Sequence, residues 1–242
     1  MFWKAISLIS LICIIALGIL LYNENNPRNA NSTKNIVKYL VETIDTLRAN
    51  ISERESDISL LQYYIEKLEL EFEMSREKGR YLVINRHASQ FCVREGDAMI
   101  YEGTCGVGVG KRKLTGRIYD FETPAGLFAV QRKIVDPWWY RPDWFWKEKG
   151  ISVPKNMIQY PKGISYNAAV AFYNSLSEED KLRVRAVPGY LGKYALQISD
   201  GIYIHYGRQR TGAVSHGCIR VSEKDAETLY HLLDLDAPVY VY

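Results

Sequence analysis

From Val37 to Ser75 the apolar residues recur at alternating spacings of three and four, and neither proline nor glycine interrupts them. Val37, Ile44, Ile51, Ile58, Ile65 and Phe72 hold one set of positions. Leu40, Leu47, Leu61 and Leu68 hold the other, which Arg54 breaks and Ser75 ends. The pattern commits 39 residues to one helix of ~58 Å, at ~1.5 Å per residue. β-branched residues at the first position and leucine at the second favour two parallel strands of coiled coil, so residues 34–78 are expected to form a stalk that makes a parallel homodimer. The competing reading is one amphipathic helix packed back on the domain that follows. A seam only two positions wide per heptad is narrower than such a face usually is.

Upstream, Ala5 to Tyr22 contains no charge and follows Lys4. Eighteen such residues make ~27 Å of helix, close to the hydrocarbon thickness of a bilayer. Cleavable signals usually have a shorter apolar core of ~7–15 residues, so a single-pass anchor is expected over 1–22. Lys4 lies on its short side and assigns that side to the cytoplasm. The protein is therefore expected in the cytoplasmic (inner) membrane, with everything after Tyr22 periplasmic or otherwise extracytoplasmic. Asn23 to Thr33, rich in asparagine and carrying Pro27, reads as a linker over 23–33.

A net charge of +3, without a Lys/Arg run or a basic-aromatic stripe, argues against a nucleic-acid partner. Four cysteines without a CxxC pair exclude a disulfide scaffold and argue against structural zinc. A two-residue turn at Gly96-Asp97 would pair Cys92 with Tyr101 rather than with Cys105, so no disulfide between them is implied.

After Gly79 the pattern changes to short β-rich runs at 81–84, 91–93 and 99–101, then 126–133, 194–198, 202–206 and 239–242. Ser222-Glu223-Lys224-Asp225 looks like a capping box opening a helix striped by Ala226, Leu229, Tyr230 and Leu233. Residues 165–185 add one or two helices, with Ser177-x-x-Asp180 as a second cap. Residues 79–242 thus read as a mainly β domain with peripheral helices.

The chemistry concentrates in Ser215-His216-Gly217-Cys218. A cysteine nucleophile needs its thiolate, and a neighbouring imidazole supplies it by taking the proton. His205 ends the apolar strand Ile202-Tyr203-Ile204, thirteen residues upstream, where a returning chain can bring it back to Cys218. Along a strand, His216 and Cys218 share a face. Backbone N–H groups around Gly217 and Cys218 are oxyanion candidates, and Arg220 is suited to holding a carboxylate bidentately. His205, His216 and Cys218 as metal ligands lack a fourth partner nearby, so no metal or cofactor is expected. His87 and His231 read as ordinary satisfied polar residues.

These residues carry a resemblance. Ile204-His205, then Ser215-His216-Gly217-Cys218-Ile219-Arg220-Val221, resembles the active-site signature of the L,D-transpeptidase family (YkuD-type domain). Thr123-Pro124-Ala125-Gly126-Leu127-Phe128 is similar to that family's TPxGxF element, and Pro188 to Leu196 to the segment before its histidine strand. The resemblance covers about residues 80–242. It implies a mostly β, sandwich-type catalytic domain whose cysteine attacks peptidoglycan stem peptides. The donor is a tetrapeptide cut before its terminal D-alanine, and an amine of a neighbouring stem takes the acyl group in a 3→3 cross-link. By the same resemblance Cys218 is the nucleophile and His205 the base. His216 and Ser215 shape the oxyanion region, and a carbapenem should acylate Cys218. Two departures stand out: only nine residues separate His205 from Ser215, and Tyr206 intervenes before Gly207.

The aromatic run Asp136 to Trp146 reads as core or lid packing before direct substrate contact. Three rivals remain at this stage: an L,D-carboxypeptidase or endopeptidase, in which water replaces the amine, and a non-catalytic wall tether. A sortase is disfavoured because its TLxTC run is absent.

Overall fold

The computed structural model describes residues 30–242. The anchor expected at 1–22 and most of the linker expected at 23–33 lie outside the described residues. Among the described residues, no helix is long and apolar enough to cross a membrane. The first helix, α1, runs over Ala30–Arg76 and so takes in the end of the expected linker. The chain divides into two compact units, one up to Tyr64 and one from Ile65.

In the first unit the seam side chains Leu47, Ile51, Ile58 and Leu61 are all exposed. In the second, the last turns of α1 separate two stripes. Leu70 and Met74, four residues apart, pack with Tyr81, Val83 and Tyr240. Leu68 and Phe72, on the seam, stay 62% exposed. Packing back on the domain therefore uses a different stripe from the heptad, and the two sequence-based alternatives do not exclude each other.

The domain opens with a meander of β1 (Arg80–Asn85), β2 (Gln90–Glu95) and β3 (Ala98–Thr104). Then follow β4 (Gly106–Gly108) and a hairpin of β5 (Gly110–Leu114) and β6 (Arg117–Phe121). The next elements are β7 (Gly126–Ala129), β8 (Arg132–Val135), β9 (Trp138–Tyr140) and α2 (Asp143–Glu148). They lead into α3 (Tyr166–Ser175), α4 (Glu178–Leu182) and β10 (Ala186–Pro188). The chain closes with β11 (Tyr194–Ser199), β12 (Ile202–Tyr206), β13 (Gly212–Ser215), β14 (Ile219–Val221), α5 (Glu223–Leu232) and β15 (Pro238–Val241).

Two sheets, ordered β3-β2-β1-β15-β7 and β13-β4-β14-β12-β11-β8, share one core. Leu82, Ile84, Val93, Val239 and Val241 meet Leu196, Ile198, Ile204, Ile219 and Val221 there, with Ala226, Leu229 and Leu233 of α5. The expected capping box is present: Ser222 caps α5 and Asp225 answers it. Asp225 also accepts from the Tyr101 hydroxyl at 2.7 Å, tying α5 to β3.

Two expectations need correction. The run 126–133 is not one strand: β7 belongs to the first sheet and β8 to the second, and fully buried Val130 lies at the crossing. The break comes where the chain changes sheets. Cys92 opposes Glu102 rather than Tyr101, because a bulge at Val93/Arg94 shifts the hairpin register by one. Cys92 and Cys105 are free thiols, and burial pushes the Cys105 thiol up to about 12.

Candidate active site

The second sheet has a core face and a face that borders a cavity. β12 and β14 run parallel, with Ile204 opposite Ile219 and His205 opposite Arg220. Alternation sends Ile204, Ile219 and Val221 into the core. His205, Tyr203, Cys218 and Arg220 instead line a cavity of about 630 Å³ with Ser215 and His216. Cys218 immediately precedes β14, so His205 is its diagonal neighbour across the strand pair.

His205 is 3% exposed, and its Nδ1 donates to the Tyr206 carbonyl at 2.6 Å. That fixes the tautomer with Nε2 unprotonated, the form a base requires. Burial lowers its pKa to about 4, the Tyr206 hydrogen bond opposes this and the Arg220 charge adds to it. His205 is therefore a neutral imidazole at ordinary pH. Burial pushes the Cys218 thiol up, opposed by the backbone at Tyr203 and by Arg220. The Cys218 thiol donates to the Gly201 carbonyl at 3.6 Å. Burial thus favours the neutral form of both groups.

The turn before Cys218 is fixed from three sides. Gly217 has φ +107, a region that favours glycine. The buried Thr123 hydroxyl donates to the Gly217 carbonyl at 2.9 Å and accepts from the Gly108 N–H at 2.8 Å. Arg86 holds the same stretch through the Thr123 carbonyl and Glu122, both at 2.7 Å. Ser215 donates its hydroxyl to the Cys218 carbonyl, so that group closes the turn. Among the described residues no backbone acceptor takes the N–H of Gly217 or Cys218.

His216 faces the same cavity, but by way of the turn at Gly217 rather than by strand alternation. Its ring stacks on Trp144 at 4.1 Å and meets the edge of Phe121 at 4.5 Å. Its Nε2 lies 3.1 Å from Glu148 Oε1, which also pairs with Arg112 at 3.4 Å. A carboxylate only accepts, so Nε2 carries a hydrogen there and is not a free base. Glu148 is 68 residues from His216, and no local pattern announces it.

The aromatic run divides by task. Trp146 is buried and donates to the Leu182 carbonyl at 2.8 Å. Trp139 stacks on Tyr190 at 4.2 Å, and together with Trp144 they wall the cavity over Cys218.

Arg220 carries its stem against Gly207, where a Cβ would lie 2.6 Å from Arg220 Cδ. The glycine after Tyr206 thus makes room for this arginine. Among the described residues, no group of three or more His, Cys, Asp or Glu side chains is placed to hold a metal ion.

The profile of the family described as YkuD, L,D-transpeptidase catalytic domain, matches residues 79–241. No curated protein matches the chain. Among solved structures, an L,D-transpeptidase from Enterococcus faecium, a C-to-S mutant, is 16% identical with a TM-score of 0.42, over 69% of this chain and 50% of that one. One from Xylanimonas cellulosilytica is 16% identical with a TM-score of 0.43, over 69% and 61%. L,D-transpeptidase 1 of Mycobacterium tuberculosis is 18% identical with a TM-score of 0.39, over 68% and 61%. The chain thus spans between half and about three fifths of the length of these proteins.

Proposed function

Because the chain belongs to the family of L,D-transpeptidase catalytic domains, we propose that it is a cysteine acyltransferase acting on peptidoglycan stem peptides. The observation that carries this reading is His205, neutral and tautomerically fixed by the Tyr206 carbonyl, facing the same cavity as Cys218.

Cys218 Sγ attacks the carbonyl of the donor's third residue while Nε2 of His205 takes the thiol proton. The oxyanion lies against the N–H groups of Gly217 and Cys218, and collapse expels D-alanine, whose amine takes the proton back. An amine of a second stem then attacks the thioester, gives its proton to His205 and releases the Cys218 thiolate. The new amide is a 3→3 cross-link. Ser215 and His216 hold the turn and the lid rather than moving the proton.

The substrate lies outside the cytoplasmic membrane, so the reading includes the anchor over 1–22 and an extracytoplasmic domain. The exposed seam of α1 supports a parallel homodimer through 34–78.

Incubation with purified muropeptides, read by mass spectrometry, is expected to give dimers with loss of D-alanine. Cys218→Ala and His205→Ala should each lower turnover by roughly 10³-fold or more, since nucleophile and base act as a unit. Near-normal turnover by either variant sinks the mechanism. Loss of D-alanine without dimers makes water the acceptor and the enzyme an L,D-carboxypeptidase.

A further inference from the structure

The turn before Cys218 contains a peptide unit whose orientation its own residues leave open. Gly217 stands at φ +107, and a Cβ there would come within 3.0 Å of Ile202 Cδ1, so the position requires glycine. Glycine also accepts either orientation of the peptide unit that follows it, because no side chain opposes the rotation. That unit carries the Gly217 carbonyl and the Cys218 N–H, and in a trans peptide the two point to opposite sides. Whatever fixes the carbonyl therefore aims the N–H.

The carbonyl is fixed by Thr123, 94 residues upstream and 1% exposed. Its hydroxyl accepts from the Gly108 N–H at 2.8 Å and gives its single proton to the Gly217 carbonyl at 2.9 Å. Gly108 permits this approach, since a Cβ on it would overlap the Phe121 carbonyl oxygen. The backbone of Thr123 is held in turn by Arg86, which follows β1 of the first sheet and donates to the Thr123 carbonyl and to Glu122, both at 2.7 Å. With its carbonyl turned to Thr123, the peptide unit turns the Cys218 N–H away from that side. We propose that Thr123 is a positioning residue for acyl transfer: through the Gly217 carbonyl its hydroxyl aims the Cys218 N–H at the oxyanion, and Arg86 secures it from the other sheet. The proposal rests on the cysteine acyl-transfer reading above and says what sets its oxyanion donor.

The test compares two reactions of Cys218 in the full chain, followed by mass spectrometry of the peptide that contains it. p-Nitrophenyl acetate is attacked at a carbonyl: the C–S bond forms, an oxyanion develops, the thiol proton goes to His205 and p-nitrophenolate leaves. Iodoacetamide is attacked at a saturated carbon, so iodide leaves and no oxyanion forms. Thr123→Val keeps the shape and removes the hydroxyl. It should slow acylation by roughly 10²-fold, the size of losing one oxyanion donor, and leave alkylation nearly unchanged. Thr123→Ser, which keeps the hydroxyl, should restore most of the rate. Arg86→Gln should lower the ratio of acylation to alkylation by less, because the hydroxyl remains. Equal losses of both reactions in Thr123→Val would make Thr123 a folding residue and overturn the proposal, as would an unchanged ratio or a wild-type Cys218 that the ester does not acylate. If Thr123→Val does not fold, Arg86→Gln decides, and an unchanged ratio there overturns the proposal as well. The muropeptide assay reports separately: a ratio that falls as expected, with muropeptides left unconverted by the wild type, upholds the positioning role and removes the substrate reading. Dimers with an unchanged ratio do the reverse.

Discussion

His205 illustrates how burial sets the protonation state of one side chain and with it a pH response. Its imidazole is held neutral by burial, with a pKa of about 4 against an ordinary 6.5. The unfolded chain therefore binds a proton here that the folded chain refuses between these values. Stability should rise with pH across about 4 to 6.5 and fall as the solution is acidified through that window. The full effect is on the order of 3 kcal/mol, from ~1.4 kcal/mol per unit. Denaturant titrations at pH 4.5 and 7.5 should show that difference shrinking in His205→Asn. An unchanged difference would mean the imidazole is not buried neutral. By the same logic, acylation of Cys218 by a carbapenem should lose rate on the acid side near pH 4, not near 6.5. His205 and Cys218 were legible as candidates because a strand end and a four-residue motif name them, and Arg220 because it lies two residues beyond that motif. Thr123 stood in a recognisable motif, yet its role of pinning Gly217 depends on a hydrogen bond between residues 94 apart.

At the scale of elements, α2 and α1 each carry a prediction. α2 closes over the cavity through Glu148 and Trp144, which hold the His216 ring. The ion pair is partly exposed, so Glu148→Ala should change stability by less than about 1 kcal/mol. It should slow acylation of Cys218 roughly tenfold, because a catalytic turn held loosely loses rate faster than the fold loses stability. Equal and large losses of both would recast Glu148 as a folding residue. In α1 the docking stripe and the seam separate cleanly. Leu70→Ala removes a buried side chain packed near Tyr81 and Tyr240, and should cost roughly 2–3 kcal/mol of domain stability. Leu68→Ala, two residues away and exposed, should leave the domain's denaturation midpoint nearly unchanged while weakening self-association. If the two variants behave alike, the stripes are not independent.

For the whole molecule, the heptad and the uncharged amino-terminal run carry the proposals on assembly and address to the test. A peptide of residues 34–78 should be helical and dimeric, with a melting temperature that rises with concentration. Sedimentation equilibrium showing a monomer at high micromolar concentration would remove the homodimer and leave the active site untouched. An alkaline phosphatase fused after Tyr242 should be active and a cytosol-dependent fluorescent protein dark there, if the proposed topology with Lys4 on the inner side holds. The opposite pattern excludes a wall substrate.

What the amino-acid sequence determined by itself is what short windows encode. The unbroken α1 follows from a 3-4 period without glycine or proline, α5 from Ser222 and Asp225, and the strands from alternating β-branched and aromatic residues. The proposed nucleophile and base were readable as candidates for the same reason, each lying within a few residues of its signature. The tertiary structure alone decided matters that depend on pairing across long separations. The crossing at Val130 makes one run serve two sheets, and a bulge sets Cys92 against Glu102. Glu148 reaches His216 over 68 residues, and parallel pairing puts Arg220 beside His205. Local conformation reflects torsional and capping preferences of neighbouring residues. These contacts are instead set by which arrangement of whole strands buries the most apolar surface while leaving no ladder hydrogen bond unmade.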